Sequence, residues 1–578
     1  MRGPCTHGTS RSGHMLDLVF CTSVVGKILN LNVEPDFSVS PSHKLISYQI
    51  DIKKPKKAKE TIVFRNKSNI DVKKLLSDTT ERISLESTNA CTHAVYFKVK
   101  GDCLCCFVEL YNSIIKAYYD DMCPVIEKEI VVKEGTQWFN SDIKMAINDR
   151  RKKERKWRRS RNELTRNEYI EARNKVNKII RKRKCMYFRQ KILEVGSNVK
   201  RLYYLFDDLT GNMKQKTLPD GYSDITLANE FLTFFHNKIQ AIVDGFHGTS
   251  LQLYSEYLPD IPFCGFSGFM PITSNELNMI FSRVKKTYCN SDPMPISDLM
   301  QDRDFSVIAN VILKIVNLSI TECVFPSSEK VAIVKPTLKG NVNHQELSSY
   351  RPVSNLSFLS KILENVILDQ LMEYLTNVNV LPDNQSAYRQ LYSTETALCH
   401  VVNSLLVCMD EGDCGVLVLL DLSAAFDTVV HELLLEDLHA VGVTDDALRY
   451  LRNYLEDRKY CVQVGNVLSE TRPLRRGVPQ GSVLGPVLFC IYAIELSYLL
   501  RNHDVDFTLY ADDTQFYMSI NNVQDTESKL SRIMFDVKKW MDGKQLKFND
   551  DKTECLIVGK KCDIRRLNDI QWEECSDF

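Results

Sequence analysis

Three carboxylates sit where carboxylates are costly. In GVLVLLDLSAAFDTVVHELLLEDL (415–438), seven residues of apolar strand character surround the single acid Asp421, ahead of a Ser-Ala-Ala turn and a helix. A charge at the end of a buried strand must be paired or bind a metal; the plainer alternative is a helix cap. In DFTLYADDTQFYMSI (506–520), two apolar strands meet at a tight turn of Ala511, Asp512 and Asp513, so a hairpin presents adjacent carboxylates at its tip. Neighbouring anions repel, a divalent cation relieves the repulsion, and hard oxygen ligands suit magnesium. An aromatic-x-Asp-Asp string alone is weak evidence. It gains weight from RRGVPQGSVLGPVLFCIYAIEL (475–496), where Gly477, Pro479 and Gly481 shape a loop that runs into an apolar helix with Gln480 at its apex. Glycines let backbone approach a ligand, a Gln amide both donates to and accepts from a nucleotide, and a helix entry favours phosphate.

The elements that must position these groups belong to a chain of 578 residues, 44% of them hydrophobic, enough for three or four domains and at least one sizeable core. Its 74 basic and 74 acidic residues cancel, so only their distribution bears on partners. Between Lys144 and Lys191 there are 20 Lys and Arg against 5 Asp and Glu. The apolar spacing of Tyr169, Ala172, Val176, Ile179 and Ile180 there predicts a long basic helix over 149–192. A charge run is ordinarily a solvated face. Trp157, Tyr169, Tyr187 and Phe188 among the cations add a capacity to stack on unpaired bases, and RRKKERKWRR (150–159) would also serve as a nuclear import signal.

ANEFLTFFHNKI (228–239) reads as an amphipathic helix packing Phe231, Phe234, Phe235 and Ile239 into a core. From about residue 270, helices at 274–284, 305–322 and 358–375 alternate with short strands such as 330–339, the texture of an α+β domain. Nineteen scattered cysteines imply reduced thiols rather than a disulfide framework, and Cys103, Cys105, Cys106 and Cys123 lack zinc-site spacing. The longest apolar stretch, 483–500, is interrupted by Gly485, Pro486 and Glu495 and reads as a buried helix rather than a membrane span. No secretory signal opens the chain, so the expected location is nucleus and cytoplasm.

Six blocks in order, YRPVSNLSFLSKILE, NQSAYRQLYSTETAL, LLDLSAAFDTVVHELLL, GVPQGSVLGPVLF, YADDTQF and LKFNDDKTECLIVG, resemble the reverse transcriptase of non-LTR (LINE-type) retrotransposons over about residues 270–560. QWFNSDI (137–143) and the basic helix are similar to the family's region between endonuclease and polymerase. The resemblance implies right-hand polymerase fingers (269–400) and palm (401–560), an antiparallel palm sheet backed by helices, with a linker and basic helical region (54–268) before them. It also implies an RNA-directed DNA polymerase that uses two Mg2+ ions, an RNA template, a DNA primer and deoxynucleoside triphosphates, with no membrane.

Carried onto this sequence, Asp421, Asp512 and Asp513 become the metal ligands and Phe426 the wall that disfavours a 2′-hydroxyl. Lys335 and Arg351 become triphosphate contacts, Gln480 and Gly481 the lining of the nucleotide pocket, and Lys552 a proton donor to pyrophosphate. RSGHMLDLVF (11–20) and SPSHKLISYQI (40–50) resemble the closing strands of the same elements' apurinic-type endonuclease, making 1–53 its remnant. Ser42 stands before His43 where that family has an Asp, so no carboxylate orients the imidazole. Residues 561–578 are expected to begin a thumb that is cut short, and Val430 replaces a commonly acidic residue before His431. Two further readings are a catalytically inactive nucleic-acid-binding remnant of a retroelement and a group II intron maturase; the endonuclease-like stump argues against the second.

Overall fold

The computed structural model describes residues 28–35, 44–50, 59–65, 78, 104–131, 138–195, 202–203, 218–246, 265–285, 287–296, 306–340, 342–520, 523–549 and 552–559. Contacts divide the chain into one unit of Met1–Arg65 with Val125–Met213 and another of Asn66–Pro124 with Lys214–Phe578.

In the first unit, strands Ile28–Pro35 and Lys44–Ile50 pair antiparallel, as do Lys59–Arg65 and Val125–Val131. The apolar run at 44–50 is thus a strand, while 11–20, Ser42 and His43 lie outside the described residues. The single long helix expected over 149–192 is instead two, Ser141–Ser160 and Glu163–Val195, folded as a hairpin. The break is local chemistry. Arg161 adopts a left-handed φ of 45° and its N–H closes on the Trp157 carbonyl, and Asn162 then caps the second helix by accepting from the Thr165 N–H at 2.9 Å. Across the turn Lys156 pairs with Glu168 at 3.0 Å and Trp157 stacks on Tyr169 at 5.4 Å. Two aromatics read as base-stacking candidates therefore stack on each other, while Ala172 and Val176 of the apolar stripe are buried.

The second unit holds the carboxylate-bearing segments and is α+β, as expected. Its antiparallel sheet has the order Asp506–Tyr510, Asp513–Ile520, Cys414–Leu420, Glu554–Val558. Alternation sends Val416, Val418 and Leu420 into the core with Phe507, Leu509 and Phe516, against the helices Gly485–Tyr492, Ile494–Asn502 and Val523–Gly543. The apolar stretch read as one buried helix is two buried helices joined at Ala493. A second sheet orders Val467–Leu468, Lys459–Val464, Val331–Leu338 and Tyr350–Asn355, with 331–338 parallel to 459–464 and Arg472–Pro473 also paired to the latter.

Helix Asp224–Asp244 packs Phe231 and Phe235 against Val334, Tyr350 and Val462 of that sheet, the core role expected of it, with Phe234 and Ile239 half-buried. Helices Ser274–Arg283, Ser306–Glu322 and Phe358–Asn377 match the three periodic stretches; the first opens on a Thr273–Glu276 capping box. Helix Leu104–Met122, in the region read as a linker and basic helical region, packs Phe107, Tyr111 and Ile115 into the same core. Among the described residues no helix is long and apolar enough to cross a membrane.

Candidate active site

The sheet register brings the aspartates together. Thr514 lies opposite Leu420, so the next step places Asp513 level with Asp421. Asp513 itself pairs with Tyr510, leaving Ala511 and Asp512 as the turn, with Ala511 at a left-handed φ of 59°. That turn is braced by a segment whose role was not read from sequence. The Asn384 carbonyl accepts from the Leu509 N–H at 2.8 Å, the Ser386 N–H donates to the Leu509 carbonyl at 2.9 Å, and buried Gln385 accepts from the Ala511 N–H at 3.4 Å.

The three carboxylates sense one another. Burial raises the pKa of Asp512, with the charge of Asp421 adding to it and Arg351 and Lys552 opposing. Asp513 is raised by burial and then by the charges of Asp512 and Asp421, with Lys552 opposing. On Asp421, Oδ2 accepts from Asn549 Nδ2 at 2.5 Å and from Lys552 Nζ at 3.1 Å, and the Asp421 carbonyl accepts from the Asn549 N–H at 3.0 Å. The clasp by Asn549 has no signal in the local sequence. Among the described residues no three His, Cys, Asp or Glu side chains stand close enough to hold an ion as they are. The donor chemistry nevertheless fits a hard divalent cation: two of the three carboxylates are raised partly by their neighbours' charge, and Lys552 already places a cation on Asp421.

A second cluster forms behind this one. Phe426 is half-buried and packs on Phe489 at 4.8 Å between ring centroids. Its carbonyl accepts from the Val478 N–H at 2.8 Å, and the Gly477 N–H donates to the Val429 carbonyl at 2.7 Å, so the glycine loop is hung directly on the residues after Asp421. His431 Nε2 donates to the Gly477 carbonyl at 2.8 Å, and burial lowers its pKa. Val430 is buried, which suits an apolar residue at that position, and its backbone N–H reaches the Tyr492 hydroxyl at 3.4 Å. At the loop's far end the Gln480 carbonyl accepts from the Ser354 N–H at 2.8 Å, buried Glu364 accepts from the N–H groups of Val483 at 2.6 Å and Leu484 at 3.2 Å just ahead of the 485–492 helix, and the Gly485 N–H that opens the helix donates to the Ser482 hydroxyl at 3.0 Å.

Gly481 is required here. Its φ is 116°, and a Cβ would lie 2.6 Å from the Ser354 carbonyl oxygen. Gly481→Ala is therefore expected to cost roughly 1–3 kcal/mol of local strain and to displace Gln480. Thermal melting checks it, and a melting temperature unchanged from the wild type would refute the strain.

Lys335 and Arg351 share one exposed face of their sheet on diagonal positions, since Lys335 lies opposite Val353 and Thr337 opposite Arg351. Arg351 and Lys552 act electrostatically on Asp512. The sequence-predicted residues thus form an acidic group with Arg351 and Lys552, a backbone-stitched group of Phe426, Gln480 and Gly481, and Lys335 on the Arg351 face.

Residues 334–568 match the reverse transcriptase (RNA-dependent DNA polymerase) family. The chain is 26% identical over 434 residues to the "Probable RNA-directed DNA polymerase from transposon BS" of Drosophila melanogaster, covering 71% of this chain and 47% of that protein. It is 28% identical to the "RNA-directed DNA polymerase from mobile element jockey" of the same organism, over 45% of this chain and 29% of that one. To the "Probable RNA-directed DNA polymerase from transposon X-element", also of Drosophila melanogaster, it is 32% identical over 30% of this chain and 19% of the relative. The chain spans about half the length, or less, of these curated relatives.

Proposed function

We propose, starting from a chain that belongs to the reverse transcriptases of non-LTR retrotransposons, that it copies an RNA template into DNA by adding deoxynucleotides to a primer 3′-hydroxyl. The observation that carries this reading is the sheet register, which sets Asp513 level with Asp421 beside the turn that bears Asp512, with Lys552 3.1 Å from Asp421. Asp421, Asp512 and Asp513 would hold two magnesium ions, which supply stabilisation of the attacking and leaving oxygens in an in-line displacement. Arg351 and Lys335 bind and orient the triphosphate, the first as a bidentate fork and the second as a point charge. Gln480 and Gly481 line the nucleotide, held to the 350–355 strand through Ser354. Lys552 exchanges its contact with Asp421 for the departing pyrophosphate, to which it gives a proton. On this reading 269–400 are the fingers and 401–560 the palm.

Phe426 packs on Phe489 and so is fixed as a wall rather than a mobile ring. Phe426→Val is expected to raise ribonucleotide use relative to deoxynucleotide use by about 10- to 200-fold, the discrimination a steric contact of this size provides. The comparison of kcat/KM for matched nucleotide pairs checks it; an unaltered ratio would assign the selection elsewhere.

The function itself is tested by incubating the chain with an RNA template, annealed DNA primer, deoxynucleotides and magnesium, and resolving primer length. A second reading, nucleic-acid binding without synthesis, is favoured by the exposed cations of the 141–195 hairpin and by the Lys552 ammonium on Asp421. Salt-sensitive RNA binding with no extension would select that reading and remove the polymerase.

A further inference from the structure

The helices His431–Ala440, Asp445–Leu455 and Ile494–Asn502 enclose a cavity of about 610 Å³ that shares no lining residue with the candidate active site. Its walls carry four carboxylates, Glu432, Glu436, Asp437 and Glu495, against Arg452 and the titratable His439. The acids stand in two tiers. Asp437 and Glu495 form the floor, each side chain 2% exposed and both leaning on the single ammonium of Lys544. Glu432 and Glu436 form an exposed rim, one helical turn apart, about 5–6 Å between Cβ atoms. Among the described residues no ion pair reaches Glu432, Glu436 or Arg452.

The floor is short of one donor. Lys544 holds one oxygen of Asp437, but Oδ2 is buried and has no hydrogen-bond partner among the described residues. A buried acceptor left in this state is costly, and a donor brought by a ligand relieves it. Asp437 also lies in the last turn of its helix, where the backbone dipole is negative, so position and charge both select a cation. A metal ion does not suit the place. Among the described residues no three acid, His or Cys side chains stand close enough to share one, and the volume is that of a small organic molecule. The remaining walls, Leu435, Ala440 and Leu448, are apolar and suit an alkyl stem that ends in a charge.

We infer that this cavity binds an aliphatic primary amine, one ammonium donating to Asp437 Oδ2 and, in a diamine, the second pairing with Glu432 and Glu436 at the rim. Two sources present that chemistry, a free polyamine and the lysine side chain of a peptide. The two tiers of acid favour the polyamine, which carries an ammonium at each end of its stem. The site stands apart from the polymerase reading, since none of its residues enters the nucleotide chemistry.

Isothermal titration calorimetry of the whole chain tests it at pH 8, above the value of about 7 to which burial lifts Asp437. The probes are putrescine, butylamine and a short N-acetylated peptide with a single lysine. Wild type is compared with Glu432→Gln/Glu436→Gln at the rim and Asp437→Asn on the floor. Asp410→Asn/Glu411→Gln, two exposed acids elsewhere, controls for charge alone. The expected result is one-to-one binding of putrescine, weakened about tenfold by the rim variant, as the loss of two exposed ion pairs would do, and untouched by the control. Butylamine, with one ammonium, should be weakened by Asp437→Asn and not by the rim variant. Peptide binding without putrescine binding, lost in Asp437→Asn, supports the site and assigns it to a lysine side chain. No saturable binding of any probe, equal loss in the control, or affinities unmoved by rim and floor variants overturns the inference. Thermal melting verifies folding, and the rim variant, exposed at both positions, keeps the test decisive where Asp437→Asn does not fold.

Discussion

Asp421→Asn is expected to lower RNA-templated primer extension at least about a thousandfold, equivalent to about 4 kcal/mol of transition-state stabilisation, with folding nearly untouched. The two effects separate because of where Asp421 sits. Its side chain is 27% exposed and its ionic partner Lys552 is 67% exposed, so the ion pair contributes no more than about 1 kcal/mol to stability. The amide can still receive Asn549, whereas the negative charge needed to hold a cation is gone. Single-turnover extension and thermal melting test both halves. A variant that keeps a tenth of wild-type activity would remove Asp421 from the metal site.

The same charge has a pH signature. Asp512 and Asp513 are raised above the ordinary carboxylate range by burial, with Asp421 adding to both, so they take up protons at higher pH than free carboxylates. Titration of the metal-free chain should therefore show these two carboxyls taking up protons at higher pH than ordinary carboxylates.

Lys544→Ala is expected to destabilise the second unit by about 3–5 kcal/mol, the largest loss of folding energy of any single substitution considered. Lys544 is fully buried, with its ammonium 2.5 Å from Asp437 and 3.0 Å from Glu495; Trp540 Nε1 donates to the same Glu495 at 3.2 Å. The network ties the 431–440, 494–502 and 523–543 helices behind the sheet. Removing the one cation leaves two acids buried without it, and Asp437 Oδ2 already lacks a hydrogen-bond partner.

Burial lifts Asp437 to about 7 despite Lys544. A carboxyl whose folded pKa is raised binds its proton more tightly in the folded state. Its contribution is fully present below the unfolded value near 3.9 and is lost as pH rises through about 7. Without Lys544 that proton is held more tightly still, so the gap between variant and wild-type melting temperatures should narrow at pH 5 and widen at pH 8. A gap independent of pH would mean that packing, not charge, is what Lys544 supplies. Lys544→Met with Asp437→Leu and Glu495→Leu, which removes the whole network, should cost less than Lys544→Ala alone.

Much of the second unit was legible in the sequence because its signals are local. The apolar run ahead of Asp421 marks a buried strand, the pairing of apolar runs around Ala511-Asp512 marks a hairpin, and the apolar periodicity of 358–375 marks a helix. Each is decided by residues a few positions apart. The basic region shows where local reading fails. The apolar stripe that suggested one helix begins only at Tyr169, and ahead of it a non-glycine left-handed residue, Arg161, turns the chain, with Asn162 capping the helix that follows.

Sequence alone thus determined the strand and hairpin that carry the carboxylates, and most of the helices around them. Tertiary structure alone decided which groups meet: Asn549 and Lys552 on Asp421, Gln385 under Ala511, Ser354 against Gly481, and Lys544 between Asp437 and Glu495. These partners lie dozens to more than a hundred residues apart, and their pairing follows from the register and packing of whole sheets and helices. No short-range pattern carries that information, because the energy that selects each contact exists only once the core has closed around it.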